Sequence, residues 1–164
     1  MQSPKPFSPI RETDDEARVL ARGLIAKARF AALGVLDPDT GTPAVSRIAI
    51  GTGPEGGIWT LVSGLSAHSR ALRADPRAGL LIGEPGLKGD PLTHPRLSLS
   101  VRAHPFPPDA PGLAVLRAHW LAGHPKSKLY LDLPDFFFLR FEVLSGLLNG
   151  GFARAYRLTP ADME

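Results

Sequence analysis

The segment Ile58-Trp59-Thr60-Leu61-Val62-Ser63-Gly64-Leu65-Ser66-Ala67-His68-Ser69-Arg70 passes from an apolar strand through a serine-rich turn into a short helix. Ser63-Gly64 breaks the strand, Ser66 is placed to cap the helix, and Asp75-Pro76 ends it after Ala74. Unpaired N–H groups at such a helix start, with the hydroxyls of Ser63, Ser66 and Ser69 around them, form either an anion cradle or an ordinary strand-to-helix turn. The hairpin before the turn bears on that choice. Ser46 to Ile50 reads as a strand, Gly51 to Gly57 as a Gly- and Pro-containing turn, and Ile58 to Ser63 as the returning strand. A ladder symmetric about Glu55 sets Arg47 opposite Ser63, with the planar donor fork of the guanidinium at the mouth of the loop. This expectation depends on register, since a one-residue slip turns the side chain to the other face.

Working outward, Thr13-Asp14-Asp15-Glu16 is a capping-box signal followed by Ala17, Leu20, Leu24 and Ala28 at helical spacing. Phe30 to Leu36 and Ala44 to Ile50 flank the hairpin turn Asp37-Pro38-Asp39-Thr40-Gly41. Beyond the short helix, Arg77 to Ile82 and the alternating Arg96 to Ala103 are strands separated by the loop Gly83 to Pro95. The prolines between Pro105 and Gly112 mark a connector, and Leu113 to Ala122 is a helix ended by Gly123. Phe136 to Val143 and Ala153 to Leu158 close the pattern as strands. The reading is a mainly β, α+β domain over 11–164, a small antiparallel barrel of six or seven strands with helices at its edges. A flexible tail over 1–10 precedes it.

The 164 residues suit one domain with its own core. No apolar run approaches the ~20 residues of a membrane-spanning helix, and the N-terminal residues carry three Pro and no apolar stretch, unlike a secretory signal. With no cysteine, the chain is expected to be cytoplasmic, away from any membrane. Basic residues exceed acidic ones by 19 to 16, yet Arg is interleaved with apolar strand residues rather than concentrated. That dispersion suits a small anionic ligand or ion pairs better than nucleic acid.

Hairpin, Arg-bearing strand, serine loop, short helix, Asp75-Pro76-Arg77 and apolar strand, in this order, resemble the FMN-binding split-barrel family that includes pyridoxamine-phosphate oxidase. Within it the likeness is nearer to haem-utilisation proteins of the HugZ type. Three motifs carry it: Ala67 to Arg77, Gly89-Asp90-Pro91-Leu92-Thr93-His94-Pro95-Arg96, and Gly150-Gly151-Phe152-Ala153-Arg154-Ala155. The resemblance implies a split β-barrel homodimer with FMN in clefts between the subunits. Its phosphate falls at Arg47, Ser66 and His68, with Ser63 and Ser69 beside them, and the strand from Trp59 and Thr60 onward runs along the flavin edge. The implied function is a flavin-dependent oxidoreductase acting on a small-molecule substrate. The alternatives are a haem-binding or haem-degrading protein and a non-catalytic flavin or tetrapyrrole carrier. Oxidase relatives place Arg and Lys where this chain has Ala67 and His68, and their C-terminal Arg-Leu-His-Asp-Arg segment has no counterpart. Haem-degrading relatives supply a C-terminal His to iron, whereas no His follows His124 here.

No general base or nucleophile emerges, so catalytic residues stay unassigned. His119 and His124, five residues apart, lie on different helix faces and give no metal site. His94, before Pro95, reads as a loop residue bonded to a carbonyl or as a ligand contact. Asp135 reads as a turn-capping carboxylate or, by the resemblance, as support for a haem site. Arg154 is half of an ion pair or a partner for a propionate or phosphate across the dimer.

Overall fold

In the computed structural model, residues 8–164 are described; residues 1–7 of the expected tail lie outside them. Helix α1 (Asp15–Lys27) begins at Asp14, whose carboxylate accepts the Ala17 N–H at 2.8 Å, with Asp15 and Glu16 in the first turn and Lys27 in the last to complement the dipole. Thr13 is not the cap. Its hydroxyl donates to Arg157 O at 2.7 Å and ties the helix start to the C-terminal strand. Ala17 and Ala21, both buried, let the helix lie close on the barrel.

Strands β2 (Phe30–Leu36) and β3 (Pro43–Ala49) form the first hairpin, and β2 continues to β6 (Arg77–Ile82), β7 (Arg96–Pro105) and β8 (Phe136–Asn149). On its edge away from β7, the 14-residue β8 serves two further neighbours, β5 (Gly56–Ser63) along its first half and β9 (Ala155–Leu158) along its second. The short strands β1 (Ile10–Arg11) and β4 (Gly51–Gly53) raise the number to nine, and β1 joins β9 in parallel. Ile10, at the end of the expected tail, is thus part of the sheet. The chain runs from β3 into β4 with a break at Ile50, so the sheet nearly returns on itself through β5, while β3 and the end of β5 do not pair with each other. This is a split barrel, as expected.

The split corrects one register. Gly51 pairs with Trp59 and Thr52 with Ile58, the symmetry about Glu55 that the sequence suggested, but the ladder stops there. Arg47 pairs with Ala32 and Ser63 with Phe136. A strand between two turns has two possible partners, and β3 takes β2 along seven consecutive residue pairs, burying Ile48. The Ile50 N–H extends that choice by donating to Arg29 O at 3.0 Å, and the buried Thr60 hydroxyl bolts the fork by donating to Ala49 O at 2.6 Å.

Two cores result. The larger fills the barrel beneath α1; the smaller lies outside it, where α3 (Leu113–Gly123) packs Leu116 and Trp120 on Leu61, Leu131 and Phe138. The buried Trp120 indole N–H donates to Ser127 Oγ at 3.0 Å, which in turn meets the Tyr130 hydroxyl at 3.1 Å. Gly51 packs tightly beside this core: a Cβ there would stand 3.1 Å from the His124 ring, which stacks on Trp120 at 4.0 Å.

Candidate functional site

Helix α2 (Ala67–Ala74) starts at Ser66, whose Oγ accepts the Ser69 N–H at 3.3 Å. The serine hydroxyls are spent within the protein. Ser66 Oγ donates to Ser63 O at 2.7 Å, the buried Ser69 Oγ to the same carbonyl at 2.7 Å, and Ser63 Oγ to Asp135 Oδ2 at 2.5 Å. Asp135 O accepts the Gly64 N–H at 2.6 Å, so Asp135 holds the turn as the capping carboxylate of its first reading. What the helix start offers an anion is its unsatisfied first-turn N–H groups, at Ala67 and His68. The half-buried His68 meets Ser46 Oγ through Nδ1 at 3.2 Å. Burial pushes its pKa below the ordinary 6.5, so the ring is neutral at pH 7.

Ser46 faces the loop because strand alternation turns Arg47 the other way. The exposed Arg47 stands on the outer face of β3, its guanidinium carbon 5.3 Å from the centroid of the Phe30 ring. There it borders a crevice of about 390 Å³ between the end of α1, β2, the end of β6 and the loop from Gly83. Phe30, Ala32 and Leu81 give the crevice apolar walls; Lys27, Arg29 and Arg47 bring three cations, against the single carboxylate of Glu84. Arg29 donates to the terminal α1 carbonyls of Ala26 and Ala28. Among the described residues, Lys27 and Arg47 make no ion pair. The crevice therefore combines positive charge with a flat apolar surface.

The other candidates are dispersed. Trp59 is half-buried, its indole N–H donating to Gly56 O at 3.1 Å and its ring edge-on to Phe106 in a second crevice that also holds Arg140. Thr60 is fully buried and committed to the fork. Arg154 pairs with Glu16 at 3.2 Å beside β9, whereas the serine loop adjoins the start of β8. Within one chain the length of β8, up to roughly 40 Å, separates them. His94 is bonded to the Lys88 carbonyl at 2.8 Å. Sequence reading missed Lys27, Arg29, Phe30 and Leu81, although pairing β3 with its preceding strand brings Arg47 beside Ala32 and so toward all four.

No family model matches the sequence, and no curated protein does. Among solved structures, one 56% identical over 93% of this chain and 98% of its own superimposes with a TM-score of 0.85. The Agrobacterium tumefaciens protein Atu2129, of unknown function, is 38% identical over 90% of this chain and 60% of its own, with a TM-score of 0.78. A haem-binding protein from Mycobacterium smegmatis is 28% identical over 94% and 61%, also at 0.78. This chain thus spans about three fifths of the length of those two. More distant structures share the fold alone. They include Vibrio cholerae HutZ, a haem storage protein (20% identity, 81% and 91% coverage, TM-score 0.64), and a Clostridium acetobutylicum protein of the pyridoxinephosphate oxidase family (13%, 93% and 100%, 0.68). Split-barrel topology, serine-capped helix and these likenesses converge on one fold: the chain has the split barrel of the pyridoxinephosphate oxidase family protein and of HutZ, and is similar in sequence as well to the haem-binding protein of Mycobacterium smegmatis.

Proposed function

We propose that the protein binds FMN, with the phosphate on Arg47, and works in the cytoplasm as a flavin-dependent oxidoreductase on a small-molecule substrate. The observation that carries this reading is the crevice itself. Arg47 has no acidic partner among the described residues, Lys27 and Arg29 border the same space, and Phe30, Ala32 and Leu81 supply a surface for a planar ring. A bidentate guanidinium suits a phosphate, and apolar walls suit an aromatic ring system. The serine loop lies on the other face of β3, with its hydroxyls already committed, and takes no part in this crevice. When bound, flavin supplies the electron transfer; the chain's contribution is position and charge.

The chain works as a homodimer in this reading. Phe30, Val45 and Leu81 stand 39–73% exposed on the outer faces of β2, β3 and β6, around the open side of the crevice. A second copy laid on that apolar face would cover it and complete the cofactor cleft.

Haem is the second reading, favoured by the 28% identical haem-binding relative. FMN stands ahead because, among the described residues, no His, Cys, Met or Tyr that could ligate iron lines the crevice. Absorption spectra of the purified protein with added FMN or haemin separate the two. Flavin bands that stay with the protein through gel filtration, and oxidation of a reduced nicotinamide by the loaded protein, are expected. A haem Soret band without retained flavin would replace the first reading by the second; retained flavin without turnover would make the protein a carrier.

A further inference from the structure

We propose that His94 is a pH-sensitive clasp, which ties down the loop between β6 and β7 beside the Arg47 crevice and lets go of it at Gly86 when the ring is protonated. The crevice as the ligand site rests on the reading above; the clasp rests on the geometry of the loop. The Gly86 N–H donates to His94 Nδ1 at 3.0 Å, and His94 Nε2 lies 2.8 Å from Lys88 O. An amide N–H only donates and a carbonyl only accepts, so these partners fix the neutral tautomer with its proton on Nε2. Protonation places a second hydrogen on Nδ1, facing the Gly86 N–H. The hydrogen bond is then replaced by two opposed donors.

Gly86 directly follows Gly83, Glu84 and Pro85, which form one wall of the crevice. At the neck, Gly83 has φ +106°, and a Cβ there would stand 2.5 Å from Pro95 O. The far limb is fastened separately. Asp90 Oδ1 accepts the Leu92 N–H at 2.9 Å, the Thr93 hydroxyl donates to Asp90 O at 2.7 Å, and Arg96 donates to Leu92 O at 2.8 Å. Losing the His94–Gly86 bond therefore loosens the loop at Gly86, next to the crevice wall, while the Nε2–H to Lys88 O bond and the far limb stay in place. The charged groups around the clasp are Glu84, Lys88 and Asp90 on the loop and Arg96 on β7. Lys27, Arg29 and Arg47 face the loop across the crevice, and Arg154 belongs to the turn whose Gly151 packs on Thr93. Among the described residues none of them hydrogen-bonds to the ring through its side chain.

The test needs no cofactor. Long-range proton–nitrogen spectra of the full chain report the His94 tautomer, and amide exchange at Gly86, corrected for the intrinsic rate, reports the clasp. Expected are a protonated Nε2 at about pH 8, and Gly86 protection that falls about twofold to tenfold on going to about pH 5, the worth of one amide hydrogen bond. In His94→Ala the amide should exchange fast at both values. A proton on Nδ1, protection that does not change with pH, or protection that survives in His94→Ala would overturn the clasp. If the variant misfolds, the wild-type tautomer and exchange still decide. A chain that shows the clasp yet binds no FMN loses the cofactor reading alone, and one that binds FMN without the clasp loses only this inference.

Discussion

Ser66 caps α2 through Oγ, and the same hydroxyl donates to Ser63 O, so its work is inside the fold. Ser66→Ala should lower stability by about 1 kcal/mol, read as a shift of the urea midpoint, and leave FMN affinity within about twofold. A large loss of affinity at unchanged stability would return the loop to the role of phosphate cradle. The cap itself was legible from residue type and position, and helix α2 spans the expected residues. What was not legible is where the hydroxyl protons point, because three serines, a carbonyl and a carboxylate compete for them. Asp135 wins Ser63 only because β8 runs beside β5, and nothing in the local sequence reports that pairing.

At the scale of elements, the fork between β3 and β5 decides which residues can share a site. Local alternation correctly marked both strands, but it cannot choose between two adjacent hairpins for the strand they share. Seven pairs with β2 outweigh the extension past Gly51–Trp59, and Arg47 goes to the outer face with Phe30 and Leu81. Thr60→Val should cost about 1–3 kcal/mol in equilibrium unfolding, since it removes the bond to Ala49 O at a buried point. Helix α4 (Pro160–Met163) offers a pH-dependent counterpart. The Thr159 N–H, Arg18 and the Thr159 hydroxyl, in that order, hold the Asp162 carboxyl at about 2, below its ordinary 3.8. A depressed carboxyl stabilises the fold fully above the unfolded value and loses that contribution as pH falls through the folded one. Stability should therefore decline between pH 3.8 and about 2, and Asp162→Asn should remove that part of the slope. An unchanged slope in the variant would mean that the ties to Arg18 and Thr159 do not matter to folding.

For the whole molecule, the split barrel and the order of its elements were legible, because these follow from turn residues and apolar period. The second core was not legible in the same way. It depends on α3 returning across β5 and β8, which gathers residues as distant as Leu61 and Leu131 into one cluster. Among the described residues no helix is long and apolar enough to cross a membrane. The uncovered apolar face of β2, β3 and β6 makes a definite expectation about assembly. Light scattering should give twice the mass of the chain, and Val45→Asp, at a position 73% exposed, should yield monomers with little loss of monomer stability. A wild-type monomer would leave the crevice open to solvent and remove the partner from the account.

The proposed role of Arg47, from its place on the outer face of the barrel, is to hold the phosphate of FMN. It is tested most directly by fluorescence titration of FMN with the wild-type protein and with Arg47→Ala, alongside their urea midpoints. Micromolar or tighter binding by the wild type is expected. Loss of the charged hydrogen bonds should weaken it about tenfold to a hundredfold at unchanged midpoint. Equal affinity in the two proteins, or no binding by the wild type, would contradict the account.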